Sequence, residues 1–136
     1  MKRLILIVDD DAKHRRLLTD VLQAEGYATL TAENGELAIA QARSKKPDLI
    51  LMDVQMPVLD GLAAVQVLKT DPVTRSIPAI VITALAMRDD RARMLAAGFD
   101  GYLSKPIDLK DLRAEVRRHL DEARGQTEAT KGGTAS

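Results

Sequence analysis

Four short apolar runs in this chain each stop on a polar residue. Leu4-Ile5-Leu6-Ile7-Val8 stops at Asp9-Asp10, Leu49-Ile50-Leu51-Met52 at Asp53, Ala79-Ile80-Val81-Ile82 at Thr83, and Tyr102-Leu103-Ser104 at Lys105. Runs that are apolar throughout fit strands buried on both faces, as in a parallel sheet. Longer stretches of helical period separate them. Leu17, Leu18, Val21 and Leu22 form a stripe that ends at Gly26, a residue suited to a helix stop. A weaker strand candidate, Tyr27 to Ala32, precedes a helix from Asn34 to Ser44 carrying Leu37, Ala38, Ile39 and Ala42. Asp60 or Gly61 starts a third helix through Leu62, Val65 and Leu68, which ends near Asp71-Pro72. Pro78 opens the next strand, where a missing N–H does least damage. A short helix fits Arg88 to Ala97, closed by Gly98, and Asp108 caps a last helix carrying Leu109, Leu112, Val116 and Leu120. The pattern is (βα)5. It predicts an α/β, doubly wound, five-stranded parallel sheet with helices on both faces and right-handed crossovers.

A chain of 136 residues is most simply one domain, since domains run to about 100–200 residues. Residues 1–121 hold the whole pattern. Residues 122–136 are expected to be a disordered polar tail, and Gly125 to Ser136 shows no apolar periodicity. With no cysteine, the fold uses neither disulfides nor a thiolate metal site. Twenty basic and twenty acidic residues cancel, so no overall field draws the chain to nucleic acid or to an anionic membrane. Met1-Lys2-Arg3 has the charge of a signal-peptide start, but the apolar run behind it is too short for an export signal or a membrane span. A soluble, cytoplasmic protein is expected.

In open α/β sheets, ligands bind outside the carboxyl ends of the strands. Parallel pairing would therefore gather Asp9, Asp10, Asp53, Thr83 and Lys105 along the binding edge. Each has a plain structural alternative. Asp9-Asp10-Asp11 can cap a helix or face water, Thr83 is a strand former, and Lys105 suits any surface. Asp53 is harder to dismiss, because a carboxylate ending so apolar a strand is costly unless paired or bound to metal. Together the five residues suit a phosphoryl-acceptor site. Magnesium takes carboxylate, water and phosphate oxygens. A carboxylate can serve as nucleophile and form an aspartyl phosphate, with a lysine ammonium and a threonine hydroxyl on the phosphoryl oxygens. His14 and His119 are expected on solvated helix faces, as is the run Arg88-Asp89-Asp90-Arg91. Tyr102, taken alone, is a packing residue of a strand.

The segments Val8-Asp9-Asp10, Met52-Asp53-Val54-Gln55-Met56-Pro57 through Asp60-Gly61, Ile82-Thr83-Ala84 and Gly101-Tyr102-Leu103-Ser104-Lys105-Pro106 resemble bacterial response-regulator receiver domains, in order and spacing, over roughly Lys2 to Leu120. The resemblance implies a flavodoxin-like sheet and a role for each matching position. Asp53 would be phosphorylated by a histidine kinase or a histidine phosphotransferase. Asp10, Asp53 and the carbonyl of Gln55 would ligate magnesium, or manganese in its place, with Asp9 acting through bound water. Thr83 and Lys105 would grip the phosphoryl group. Thr83 and Tyr102 would form a switch that reshapes the surface of the fourth helix, fifth strand and fifth helix for a downstream protein target. The Lys105-Pro106 bond resembles one that is cis in the family. Gln55 and Leu85 would flank the phosphoryl group and tune its hydrolysis. Leucine cannot orient water, so slow self-dephosphorylation is expected.

The leading expectation is a stand-alone receiver with no output module, not an enzyme, binding neither nucleic acid nor membrane. It would be a monomer or a phosphorylation-dependent dimer. A receiver excised from a larger regulator or hybrid kinase is the alternative. A magnesium-dependent phosphohydrolase with an aspartyl-phosphate intermediate is more remote, since such enzymes put Asp-x-Asp on the first strand, where this chain has adjacent aspartates. A purely structural domain would leave the acid cluster unexplained.

Overall fold

Alternate side chains of a strand leave the sheet on opposite faces, and here both faces are covered. The computed structural model describes residues 2–53, 61–84 and 88–132, with side chains described as far as Asp121 apart from those of residues 88–90. Its elements follow in the order β1 (Leu4–Val8), α1 (Ala12–Ala24), β2 (Ala28–Ala32), α2 (Gly35–Lys45), β3 (Leu49–Asp53), α3 (Gly61–Thr70), β4 (Ala79–Thr83), α4 (Arg88–Ala97), β5 (Gly101–Ser104) and α5 (Leu109–Gly132). All strand pairs are parallel, in the order β2-β1-β3-β4-β5. Leu6, Val8, Ile50, Met52 and Val81 pack on one face with Ala38 and Ala42 of α2, Val65 and Leu68 of α3 and Met94 of α4. Ile5, Ile7, Leu49, Leu51, Ile80 and Ile82 pack on the other with Leu18 and Leu22 of α1 and Leu112, Val116 and Leu120 of α5. Full burial of such a side chain contributes about 1.5–3 kcal/mol, which is why these strands have no polar position until they end.

The helix stripes are rotated slightly from their expected positions. Leu18 and Leu22 are buried, whereas Leu17 is 46% exposed. On α2, Ala38 and Ala42 go into the core and Leu37 is 44% exposed. Asn34 caps α2 by accepting the Leu37 N–H, at 2.9 Å, and Asp11 caps α1 by accepting the Lys13 N–H, at 2.9 Å. Helix α5 runs past Asp121 to Gly132, so no helix break marks the boundary expected there. No helix among the described residues is long and apolar enough to cross a membrane.

Carboxylates also hold the starting edge of the sheet. Asp48 Oδ2 accepts the Leu4 N–H at 2.7 Å, and Asp100 Oδ2 accepts the Ala79 N–H at 2.8 Å. Lys69 Nζ joins Asp100 Oδ2 at 2.8 Å and donates to the Ile77 carbonyl at 2.8 Å.

His119 corrects the expectation of a solvated face. It is only 6% exposed, because Gly101 of β5 has no side chain to fill the space beneath it. A Cβ on Gly101 would lie 2.6 Å from His119 Nε2 and 2.8 Å from Glu115 Oε2, and His119 Nε2 lies 3.3 Å from that same Glu115 oxygen. Overpacking of this kind costs about 1–3 kcal/mol. Gly101→Ala is therefore expected to lower unfolding stability by about that amount in urea titration, and an unchanged midpoint would show that His119 moves freely.

Candidate functional site

The strand order places β2 and β3 on opposite sides of β1, so the chain changes direction between β1 and β3. Such a switch point opens a crevice at the carboxyl ends of the two strands. Asp9 and Asp10 directly follow β1, and Asp53 is the last residue of β3. One carboxylate oxygen from each of the three lies within 4.8 Å of the others. Asp9 and Asp53 are buried and Asp10 is exposed.

Cations offset this concentration of negative charge. Lys105, just beyond β5, brings Nζ to 2.7 Å from Asp53 Oδ2. Its position is set through the main chain, because the Lys105 N–H donates to the Thr83 carbonyl at 2.8 Å. Thr83 ends β4 and is fully buried. The strand register pairs Asp53 with Ile82 and Thr83 with Ser104, so Thr83 lies on the strand between the acid and the lysine. The peptide bond Lys105-Pro106 is cis.

Asp9 is held from three sides. The Asp11 N–H donates to its Oδ1 at 2.9 Å, Arg15 Nη1 donates to its carbonyl at 2.7 Å, and His14 Nδ1 contacts its Oδ2. His14 is thus not on a solvated face, because the first turn of α1 folds its ring back over the end of β1. Neither this contact nor that of Arg15 follows from apolar periodicity. The available signal was spacing: residues just inside a helix capped by Asp11 can reach the strand end that precedes the cap.

These contacts govern ionisation. Burial pushes the Asp9 carboxyl up, but the hydrogen bonds from His14 and the Asp11 N–H, with the electrostatic attraction of His14 and Lys105, outweigh it and hold the group below its ordinary 3.8. Burial pushes Lys105 down, and the hydrogen bond and charge of Asp53, reinforced by Asp9 and Asp10, raise it above 10.5. At neutral pH Asp9 is therefore an ionised acid and Lys105 an ionised amine. The donor set fits a hard divalent cation, since three carboxylates converge without any sulfur ligand.

Tyr102 is partly buried against the core face that carries α2, α3 and α4. It also lines a recess of about 470 Å³ with Arg91, Ser104, Pro106, Asp108 and Glu115. Gln55 and Leu85 lie outside the described residues. The structure brings together Asp9, Asp10, Asp53 and Lys105, with Thr83 on the adjoining strand end, as the strand-end pattern implied.

Residues 5–117 match the family model described as the response regulator receiver domain. The polar-differentiation response regulator DivK of Brucella anthropi is 38% identical over 123 residues, covering 90% of this chain and 100% of DivK. The signal receiver domain of a signal transduction histidine kinase from Syntrophus aciditrophicus is similar in structure, with a TM-score of 0.82 and 37% identity over 88% of this chain and 91% of that one. The receiver domain of sensor histidine kinase PA1611 from Pseudomonas aeruginosa PAO1, solved with a magnesium ion coordinated in its active site cleft, has a TM-score of 0.82 and 31% identity, covering 89% of this chain and 99% of that one. The chain belongs to the response regulator receiver domain family. Receiver domains are signalling switches, which sets aside the phosphohydrolase reading.

The depressed Asp9 pKa makes a stability prediction with a definite sign. The ionised carboxylate contributes stability above its unfolded pKa, and the contribution is lost as pH falls through the lower folded value. In metal-free buffer the wild type should lose stability on acidification below about pH 4. Asp9→Asn should show a shallower loss in urea titrations across that window, and identical slopes would contradict the assignment. Lys105 contributes at all lower pH and its share is lost only in alkali, above 10.5.

Proposed function

We propose that Asp53 is the phosphoryl acceptor of a two-component or phosphorelay switch, taking the group from a phosphohistidine on a kinase or a histidine phosphotransferase. An Asp53 carboxylate oxygen bonds to phosphorus as the phosphorus–nitrogen bond of the donor imidazole breaks, and the imidazole leaves with the electron pair. The transferred group carries charge on its oxygens, and catalysis of such a step is chiefly positioning and charge stabilisation. Lys105 is already 2.7 Å from Asp53 Oδ2, within reach of oxygens arriving on that residue. Thr83 donates its hydroxyl to another. Asp10, Asp53 and the Gln55 carbonyl would hold magnesium, or manganese, with Asp9 acting through water. The metal, when bound, neutralises phosphoryl charge and offsets repulsion among the acids. The observation that carries this reading is the convergence of Asp9, Asp10 and Asp53 beside a lysine paired to Asp53, in a member of the receiver family.

Phosphorylation then draws Thr83 toward the new group, and Tyr102 follows inward from its partly buried position, altering the α4–β5–α5 surface that a downstream protein reads. Residues 1–121 form the switch and residues 122–136 a polar tail. The protein works in the cytoplasm, as a monomer or a phosphorylation-dependent dimer, without direct contact to nucleic acid or membrane. It is not a turnover enzyme.

Incubation with magnesium and acetyl phosphate, followed by intact-mass measurement, should show a labile gain of one phosphoryl group in the wild type and none in Asp53→Asn. No gain, under conditions that phosphorylate a control receiver, would reject Asp53 as a free-standing acceptor. Leu85 offers no group to orient water, so Leu85→Glu should lose its phosphoryl group several-fold faster than the wild type when the decay is timed. An equal or slower decay would remove Leu85 as a determinant of the lifetime.

A further inference from the structure

We propose that His14 is a positioning residue for the acid cluster, holding Asp9 Oδ2 through Nδ1 and so fixing the orientation in which Asp9 faces a divalent cation. The proposal rests on the reading of the strand-end acids as a magnesium site. A carboxylate turns easily about its last side-chain bond, where no sharp rotamer exists. Asp9 has no such freedom. Its two oxygens are held separately, Oδ1 by the Asp11 N–H at 2.9 Å and Oδ2 by His14. An ionised carboxylate only accepts, and it has about four acceptor positions. Two are taken by these donors, which leaves others for a metal or for its bound water.

Local structure explains why the imidazole stays in place. Asp11 donates its N–H to Asp9 and, through Oδ1, caps α1 by accepting the Lys13 N–H. The cap fixes the first turn of α1, that turn carries His14, and His14 returns to Asp9. Arg15 closes the arrangement by donating to the Asp9 carbonyl at 2.7 Å. The His14 side chain is 18% exposed, too enclosed to be a solvated surface group. Groups that orient a ligating carboxylate or imidazole in this way commonly set metal affinity, and their loss weakens binding about 10–100-fold.

The test is isothermal titration calorimetry of magnesium chloride into the metal-free, unphosphorylated full chain. Leucine matches the branching of histidine at Cγ but has no donor. Asparagine carries its amide nitrogen the same number of bonds from the backbone as Nδ1. His14→Leu should weaken magnesium binding about tenfold or more, and His14→Asn should stay within a few-fold of wild type. Thermal unfolding in chelator checks that each variant is folded. Should His14→Leu fail that check, His14→Met replaces it with the same expectation, because its unbranched thioether also has no donor. A magnesium affinity for the donor-less variant within about twofold of wild type would overturn the role. So would tighter binding, which would make His14 a competitor of the metal, or an asparagine variant as weak as the leucine one, which would reduce His14 to packing. Absence of magnesium binding by the wild type would reject the site reading itself, a result distinct from any difference among variants.

Discussion

Three carboxylates meet at the end of a sheet whose interior is wholly apolar, and much of the surrounding structure serves to make that tolerable. Like charges a few ångströms apart repel, and burial of Asp9 and Asp53 removes the water that would screen them. The structure answers with a lysine ammonium and with hydrogen-bond donors. Lys105 faces Asp53 from the end of β5, while His14 and a main-chain N–H hold Asp9 from the start of α1. The ion pair between Asp53 and Lys105 spans β3 to β5 across the carboxyl end of β4, so it depends on the register of three strands. A change of one residue in that register would turn Asp53 or Thr83 to the wrong face.

The opposite edge uses the same residue type differently. Asp48 and Asp100 accept main-chain N–H groups of Leu4 and Ala79, and Arg3 and Lys69 lie beside them. Both edges mix main-chain and side-chain partners, and what differs is convergence. Asp48 and Asp100 each brace the start of one strand, whereas at the carboxyl edge three carboxylates meet, with an oxygen from each within 4.8 Å of the others.

Much of this architecture was legible in the residue order because the strands are buried on both faces. Continuous apolar runs are the direct result of that burial, and their last residues had to lie at one edge once the strands were parallel. Asp9, Asp10, Asp53, Thr83 and Lys105 were found this way. The histidines were not. His14 is partly buried because α1 starts immediately after the acid cluster, and His119 is buried because Gly101 opens a space on a different element. Both facts depend on how an element is rotated against its neighbour. A period of 3.6 residues locates a stripe only to within part of a turn, and the exposure of Leu17 and Leu37 has the same origin. The course of α5 beyond Asp121 likewise carried no apolar signal, since Gly125 to Ser136 shows no apolar periodicity.

β5 is the outermost strand on its side of the sheet, it is only four residues long, and Pro106 follows it within two residues. Short edge strands and nearby prolines are how sheets discourage other chains from adding a strand. Helices α4 and α5 pack on opposite faces beside it, through Met94 on one and Leu112 and Val116 on the other. Little of its main chain is therefore offered to a visiting peptide. A protein that recognises this side of the molecule meets Arg91, Tyr102, Asp108 and Glu115 around a recess, so selectivity is written in side chains and β-augmentation is a poor route to binding. The same brevity guards against edge-to-edge self-association, leaving the rim to be read without the sheet being extended.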